Sequence, residues 1–244
     1  MATAAITDRP APPASPPVED LERELKFVLP ASRADIAARL LRTLCKPDGR
    51  YPDADVWTIY YDSPGFDSLD EKLNSDYLKM KIRVRWYAPP GGPAEGPVFL
   101  EAKQRVGNRR DKVRVLLPMT ADMLVSRRLD DAVFESLPGR LAEKGIVLGG
   151  DWQPMLLLRY RRRRFVDPPT GTRLSLDSDI AAVSVNHRHL FARNLGPLPI
   201  AVVECKGLAD VLPGHLRPLI SLGLRKQSLS KYAALMLQLS RVIH

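Results

Sequence analysis

Alternation of apolar and charged residues is the dominant pattern along this chain. The most regular stretch, Tyr77–Tyr87, alternates apolar and cationic residues from position 78 to position 86. Because successive side chains of a strand point to opposite faces, this stretch predicts one apolar face and one cationic face. The cations are Lys79, Lys81, Arg83 and Arg85. At least five predicted strands place Lys, Arg or Glu at the same two-residue period.

The same patterns predict the other elements of the fold. Nine strand-like runs are Glu22–Leu29, Thr58–Asp62, Tyr77–Tyr87, Val98–Val106, Lys112–Leu117, Met155–Val166, Thr172–Asp177, Ile180–Asn186 and Pro199–Lys206. Five helical patterns are Ser32–Leu44, Thr120–Leu129, Ala132–Lys144, Leu212–Leu222 and Lys231–Ile243. This balance predicts an α+β domain in which helices flank an antiparallel sheet or barrel.

The domain organisation follows from where proline accumulates. Residues 1–20 form a Pro/Ala-rich leader, with five prolines between Pro10 and Pro17, and we predict that it is disordered. A second cluster, Ala88–Pro97, lies between two strand-like runs of the same type and predicts a long hairpin loop. We therefore expect one domain over residues 21–244.

Net charge changes this picture by pointing to an anionic partner. The 244 residues include 37 Lys and Arg against 28 Asp and Glu, a formal net charge of +9. The leader carries −2, so the remaining 224 residues, with 36 basic against 25 acidic side chains, carry +11. Nucleic acid, a phospholipid surface and a phosphorylated small molecule are all compatible with such an excess.

Several functional classes are disfavoured by what the sequence lacks. It has no apolar run of about 18 residues, as a membrane-spanning helix needs, and no secretory signal pattern. Cys45 and Cys205 are too few for a disulfide framework and lack zinc-site spacing, so we expect a reducing, cytoplasmic location. Common nucleotide-binding and metalloprotease motifs are absent. Nothing in the sequence sets the oligomeric state.

The charged strand faces could be simply solvent-exposed, or they could form a functional site. For any single strand, solvent exposure of an ordinary half-buried sheet is the more frequent explanation. A row of like charges is unfavourable, however, unless carboxylates or a bound anion neutralise it. If the sheet closes with its apolar face outward under helices, the charges line a polar lumen that suits a polyanion and a divalent metal.

The charged blocks resemble, in order, those of the VTC domain, the polyphosphate polymerase branch of the triphosphate tunnel metalloenzyme superfamily. ERELK at residues 22–26 matches the ExExK signature of that superfamily. The other matching blocks are YYDSP (60–64), KIRVR (81–85), FLEAK (99–103), LRYRR (158–162), LDSDI (176–180), VECKG (203–207) and QSLSKY (227–232). They cover nearly all of the chain after the leader.

This resemblance implies an eight-stranded antiparallel β-barrel, or tunnel, with flanking helices. It also implies an enzyme that transfers the γ-phosphate of ATP onto polyphosphate or pyrophosphate with Mn²⁺ or Mg²⁺. The implied catalytic cations are Lys26, Arg83, Arg85, Lys103, Arg162 and Lys231. The implied substrate-binding residues are Lys81, Lys112, Arg114, Tyr160, Lys206 and Ser230, with Arg110 an alternative to Lys112. The implied metal ligands are Glu204, Glu24 and Glu22.

Some of these residues have a second interpretation. Glu22 and Glu24 could be salt-bridge partners of the cations instead of metal ligands, and we rank Glu204 above both. We favour a strand-end turn for Asp177 and Asp179. Tyr232 could equally be a packing residue of the last helix.

Two other functions compete with the polymerase. The fold could hydrolyse tripolyphosphate or nucleoside triphosphates, although we expect such hydrolases to place more carboxylates in the lumen. It could also be a non-catalytic module for a polyanion, whose binding would weaken steeply with salt. Aromatic residues make up only 7% and do not interleave regularly with basic ones, so we expect no nucleic-acid partner.

Overall fold

One large antiparallel sheet dominates the computed structural model, which describes residues 23–51, 53–74, 76–93, 95–107, 109–191, 196–208 and 210–241. The predicted leader and Glu22 lie outside the described residues. Within them, eight long strands and two short ones are β1 (Arg23–Pro30), β2 (Lys46–Pro47), β3 (Ala54–Asp62), β4 (Leu78–Ala88), β5 (Pro97–Val106), β6 (Arg109–Thr120), β7 (Gln153–Val166), β8 (Arg173–Val185), β9 (Ile200–Gly207) and β10 (Arg225–Lys226).

The helices pack around this sheet. The α-helices are α1 (Ala34–Leu44), α2 (Asp67–Leu73), α3 (Ala121–Val125), α4 (Ala132–Ser136) and α5 (Lys231–Arg241). Short 3-10 helices cover Ala31–Arg33, Leu137–Lys144 and Gly214–Leu222. The predicted helix at Leu212–Leu222 is thus a 3-10 helix, and Pro218 inside it explains why no regular α-helix forms there.

The predicted eight-stranded closed barrel is wrong in closure and in strand count. In the described part of the chain the sheet has ten strands, in the order β10-β1-β9-β8-β7-β3-β4-β5-β6, with β2 paired to β7. Within that part, its two ends, β10 and β6, are not hydrogen-bonded to each other. The physical reason lies at β1, whose outer edge is used by the C-terminal region. Phe27 and Val28 pair with β10, and Gln227 N donates to Lys26 O over 3.0 Å.

The apolar strand faces pack as the alternation predicts. Ile82, Val84 and Trp86 of β4 are fully buried and belong to one apolar cluster beneath α3, α4 and the Leu137–Lys144 helix. A second cluster joins α1 to β1, β8 and β9 and includes Cys45 and Cys205, and both thiols are buried. A third packs α5 against β3, β7 and β8. The opposite faces of the strands are left for the charged residues.

Other local predictions also differ from the structure. The helix predicted over Ala132–Lys144 is α4 followed by the 3-10 helix Leu137–Lys144. The strands predicted at Thr172–Asp177 and Ile180–Asn186 are one continuous strand, β8. Asp179 has a positive φ of 54°, and the pairing of β7 with β8 shifts register between Arg159 and Arg161, so the chain passes the irregularity without leaving the sheet. The pattern also missed α2, which residues 63–66 separate from β3. No described helix is both long and apolar enough to span a membrane.

Candidate functional site

A cavity of about 220 Å³ lies on the charged face of the sheet, and we call it the central cavity. Side chains from β1, β3, β4, β5, β6, β7 and β9, and from the start of α5, line it. Strands from both halves of the sheet order contribute, so the sheet curves around the cavity although its ends, as far as the structure describes them, do not pair. Among the described residues, nine lining side chains are cationic and three are acidic: Lys26, Lys81, Arg83, Arg85, Lys103, Lys112, Arg162, Lys206 and Lys231 against Glu24, Glu101 and Glu204.

Glu101 anchors the cations on one wall of the central cavity. Its side chain is only 2% exposed, and Oε2 accepts a hydrogen bond of 2.7 Å from Arg83 Nε. Arg114 Nε donates to Oε1 over 2.8 Å, and Lys112 Nζ lies 3.6 Å from the same oxygen. Burial alone would raise the pKa of Glu101, but the charges of Arg83, Arg85 and Lys112 outweigh it and hold the pKa well below its usual range.

Arg85 lies deeper in the same wall. It is almost fully buried, its Nε donates to Thr58 Oγ1 over 3.1 Å, and its Nη1 lies 4.0 Å from Glu101 Oε2. Four described cations, two on β4 and two on β6, therefore share the Glu101 carboxylate, so the positive charge of this wall is only partly neutralised.

The opposite wall is built around Asp177, which corrects the predicted strand-end turn at this residue. Asp177 lies inside β8, is fully buried, and accepts hydrogen bonds of 2.6 Å from Arg162 Nε and Nη2. Lys231 Nζ lies 2.6 Å from Asp177 Oδ2. The Lys231 ammonium also lies 4.8 Å above the Tyr160 ring, which stabilises a buried cation through the ring quadrupole. Asp177 thus fixes two of the predicted phosphate ligands in place.

Glu204 and Glu24 are the carboxylates available for a divalent metal. Glu204 Oε1 lies 3.5 Å from Lys231 Nζ and 3.8 Å from Lys26 Nζ, and Oε2 lies 3.3 Å from Arg162 Nη2. Glu24 pairs with Lys26 over 2.9 Å. Burial would raise the pKa of Glu204, but Lys231, Arg162 and Lys26 lower it well below its ordinary value.

The carboxylates of the central cavity decide whether a divalent cation fits there. In the described part of the chain, no three His, Cys, Asp or Glu side chains form a metal-binding group. Mg²⁺, however, is often bound by one or two carboxylates together with substrate phosphates and water. Glu204 lines the central cavity, and its contacts with Arg162, Lys231 and Lys26 measure 3.3, 3.5 and 3.8 Å. Glu204, with Glu24, therefore fits a metal that takes its other ligands from a bound polyphosphate.

Lys81 and Tyr60 both line the central cavity. Burial lowers the pKa of Lys81 to about 8, and the nearby charges of Lys26 and Lys72 act in the same direction. Lys81 Nζ lies 3.4 Å from Ser230 Oγ. Burial would raise the pKa of Tyr60, but the surrounding cations, led by Arg83, bring it down to about 8. The pKa of Lys81 is thus lowered mainly by burial, and that of Tyr60 by the surrounding positive charge.

Two further cavities share walls with the central one. A cavity of about 390 Å³, the lysine-lined cavity, shares Lys26, Lys81 and Lys103 with it and adds Lys72, Lys79, Arg105 and Lys226. A cavity of about 110 Å³, the arginine-lined cavity, shares Arg162, Glu204 and Lys206 and adds Arg164, Arg173 and Tyr51. The basic lining is therefore longer than the central cavity alone, as an extended anion requires.

The sequence-predicted site residues largely come together. Thirteen of the fifteen line the central cavity: Glu24, Lys26, Lys81, Arg83, Arg85, Lys103, Lys112, Tyr160, Arg162, Glu204, Lys206, Ser230 and Lys231. Arg114 lies beside the cavity on Glu101, and Glu22 is outside the described residues. Their chemical roles remain predictions.

Sequence reasoning missed Glu101 and Tyr60 as site residues. The parity that places Lys103 on the charged face of β5 places Glu101 there too, so the signal for Glu101 was present. Tyr60 carried no such signal, because an aromatic residue in a strand is usually a packing residue.

Comparison with known proteins gives a family and distant structural likenesses. A family model described as the VTC domain matches residues 21–240. No curated protein matches the chain. A candidate adenylate cyclase from Vibrio parahaemolyticus is similar at 12% identity with a TM-score of 0.48, covering 88% of this chain and 97% of that one. Another, from Bacillus halodurans, is similar at 14% identity and TM-score 0.49, covering 86% and 92%. Likenesses this distant say nothing about the activity of this chain.

Proposed function

The chain belongs to the VTC domain family, and from this premise we propose that it is an ATP-dependent polyphosphate polymerase. In the proposed reaction a terminal phosphate oxygen of polyphosphate or pyrophosphate attacks the γ-phosphorus of ATP. The bond from that phosphorus to the bridging oxygen of ADP breaks, a new phosphoanhydride bond forms, and ADP leaves. The chain grows by one phosphate.

The composition of the central cavity is the observation that carries this proposal. Phosphoryl transfer depends on positioning and charge neutralisation more than on a covalent nucleophile. The nine cations of the cavity supply both, with Arg83, Arg85 and Arg162 suited to paired contacts with phosphate oxygens and the lysines acting as point charges. The acceptor phosphate is already ionised near neutral pH, so the reaction needs no strong general base.

A bound Mn²⁺ or Mg²⁺ would supply charge neutralisation between neighbouring phosphates, as in other phosphoryl transfers. Glu204 and Glu24 are the residues that would hold it. Arg162 and Lys231 would then orient the phosphates, because Asp177 holds both of their side chains in place.

The three acidic side chains of the cavity favour a polymerase over a hydrolase. Arg83 and Arg114 bind Glu101 at 2.7 and 2.8 Å, whereas the cations around Glu204 lie 3.3 Å or further from its oxygens. Among the described acidic residues of the cavity, we therefore assign the metal to Glu204, with Glu24 beside it. A hydrolase that activates water between metals would need more carboxylates than these two.

Incubation with ATP and Mn²⁺ tests the proposal. Purified protein should form ADP and polyphosphate chains that grow with time, and an Arg83→Ala variant should form neither at a comparable rate. Release of orthophosphate without polymer would indicate a triphosphate hydrolase. Salt-sensitive binding without any turnover, equal in the native protein and Arg83→Ala, would indicate a polyanion-binding module.

A further inference from the structure

Tyr232 links the last helix to the end of β3. Its hydroxyl donates a hydrogen bond of 2.9 Å to Asp62 Oδ2, and both side chains are buried. Its ring also stacks on Tyr60 at a centroid distance of 5.2 Å. The contact joins residues that are 170 positions apart in the sequence and lie in two of the matched blocks, YYDSP and QSLSKY.

Asp62 is itself held rigidly. Its Oδ1 accepts hydrogen bonds from the backbone N–H groups of Ser63 and Ser68, at 2.9 and 2.8 Å, and Oδ2 accepts one from Leu69 N at 3.1 Å. These donors belong to the turn after β3 and to α2, so the carboxylate fixes the start of that helix. The Asp62 carboxylate therefore has a fixed position, and its hydrogen bond orients the side chain of Tyr232.

The neighbouring residue of Tyr232 in α5 is Lys231, whose ammonium lies on Asp177 in the central cavity. Consecutive helical residues differ in direction by about 100°. The direction of Tyr232 toward Asp62 therefore also sets the direction of Lys231 toward the cavity. Ser230, just before α5, contacts Lys81 and is subject to the same constraint.

We propose that Asp62 and Tyr232 are positioning residues, which fix the rotation of α5 so that Lys231 presents its ammonium to a bound phosphate chain. This inference rests on the proposed function for the identity of the ligand. The hydrogen bond lies outside the lining of the central cavity, so neither residue acts on phosphate directly. Burial and the Asp62 charge together raise the pKa of Tyr232, which keeps the hydroxyl protonated as a donor.

Packing alone is the competing explanation, and Tyr232→Phe separates the two. This variant keeps the ring stacked on Tyr60 and deletes only the hydroxyl. Tyr61→Phe is the matched control, because the Tyr61 hydroxyl also makes a buried hydrogen bond of 2.9 Å, to Phe134 O, on the opposite face of β3. Each variant removes one buried hydrogen bond, but only Tyr232 is adjacent to Lys231.

A double-mutant cycle with Lys231→Met gives the decisive readout. Tripolyphosphate binding is measured by calorimetry at fixed ionic strength, and the free energy of unfolding by urea, for Tyr232→Phe with Lys231 present and with Lys231→Met. We expect Tyr232→Phe to weaken tripolyphosphate binding about fivefold or more when Lys231 is present, and to leave it unchanged when Lys231 is Met. The loss of stability should be the same in both backgrounds.

The opposite result overturns the inference. Equal weakening in both backgrounds, or no weakening in either, would make Tyr232 a packing residue. Tyr61→Phe should lower the free energy of unfolding without weakening tripolyphosphate binding. If it weakened binding as much as Tyr232→Phe does, Tyr232 would again be a packing residue. These measurements need no turnover, so a protein that makes no polyphosphate still tests the inference. Absence of tripolyphosphate binding by the native protein would refute both the inference and the proposed function.

Discussion

Arg83 and Glu101 are direct cross-strand partners on β4 and β5, and Arg83 Nε donates to Glu101 Oε2 over 2.7 Å. Opposite charges on facing strand positions stabilise a sheet. Here the same carboxylate also contacts Arg114 and Lys112, so one buried acid partly neutralises a whole row of cations. The cations remain in excess, and a site poised to bind an anion results.

The first prediction concerns stability without ligand. Glu101→Gln leaves several cations without their carboxylate, and loss of one buried partner costs about 3–5 kcal/mol. Because Arg83 and Arg114 are partly exposed, we expect a loss near the lower end, about 3 kcal/mol, in urea unfolding. Tripolyphosphate should then raise the melting temperature more in the variant than in the native protein.

Glu143→Gln is the control for this change. Glu143 pairs with Arg140 on the surface, and exposed pairs contribute at most about 1 kcal/mol. If Glu101→Gln were no more destabilising than Glu143→Gln, Glu101 would not organise the cation row.

The second prediction concerns Lys231. Replacement by Met removes a cation held between Asp177 and Glu204, so we expect polymer formation to fall about 100-fold or more, as for other preorganised donors to a transition state. The slope of log affinity for tripolyphosphate against log salt should fall by about one. Lys144→Met, an exposed change at the end of the Leu137–Lys144 helix, should leave the rate and the slope unchanged.

The third prediction concerns pH. The pKa of Lys81 is lowered to about 8 in the fold, against 10.5 for an ordinary lysine. Between these values the folded protein has lost this proton while the unfolded chain retains it, so the unfolded state binds more protons and stability rises with pH. Urea unfolding at about pH 7.5, about pH 8.5 and about pH 9.5 should reveal the rise.

Lys81→Met should remove part of this dependence. Tyr60, with its pKa also lowered to about 8, contributes in the same direction, because its folded form loses a proton before its unfolded form does. A Tyr60→Phe variant measures how much Tyr60 contributes to the pH dependence of stability. An unchanged pH profile in Lys81→Met would show that Lys81 is not the titrating group.

The fourth prediction concerns the metal. In the presence of tripolyphosphate, Glu204→Gln should weaken Mn²⁺ binding at least about tenfold, since even outer-sphere changes at metal sites cost about 10- to 100-fold. Glu24→Gln should have a smaller effect, because Glu24 is committed to Lys26 at 2.9 Å. Electron paramagnetic resonance of free Mn²⁺ measures both, and equal affinity in all three proteins would exclude these ligands.

The charged faces could be predicted from the sequence because alternation along a strand is a local property. The charged residues of KIRVR and FLEAK line the cavity, as the two-residue period of a strand requires. The apolar residues between them lie in the core. The order of the family blocks then allowed Lys231 and Glu204 to be assigned to the same site, and both line it.

What could not be predicted depends on contacts between distant segments. The sequence favours a strand-end turn for Asp177, because the contacts of its carboxylate with Arg162 and Lys231 become visible only in three dimensions. The prediction of a closed barrel was wrong for a similar reason. A two-residue strand, β10, has no detectable pattern, yet it pairs with the outer edge of β1.

The open sheet leaves its two ends, β10 and β6, free of hydrogen bonds to each other in the described part of the chain. Among the described residues, β6 pairs with β5 alone, so moving the two ends of the sheet apart or together breaks no ladder hydrogen bond. Contacts such as Lys81 to Ser230 and Lys72 to Ser228 cross from the β4 side to the C-terminal segment. Repulsion between the cations of the central cavity opposes the approach of these flanks, and an anion bound between them would favour it. The open edge of the sheet would therefore let the site narrow around the proposed polyphosphate ligand without loss of strand pairing.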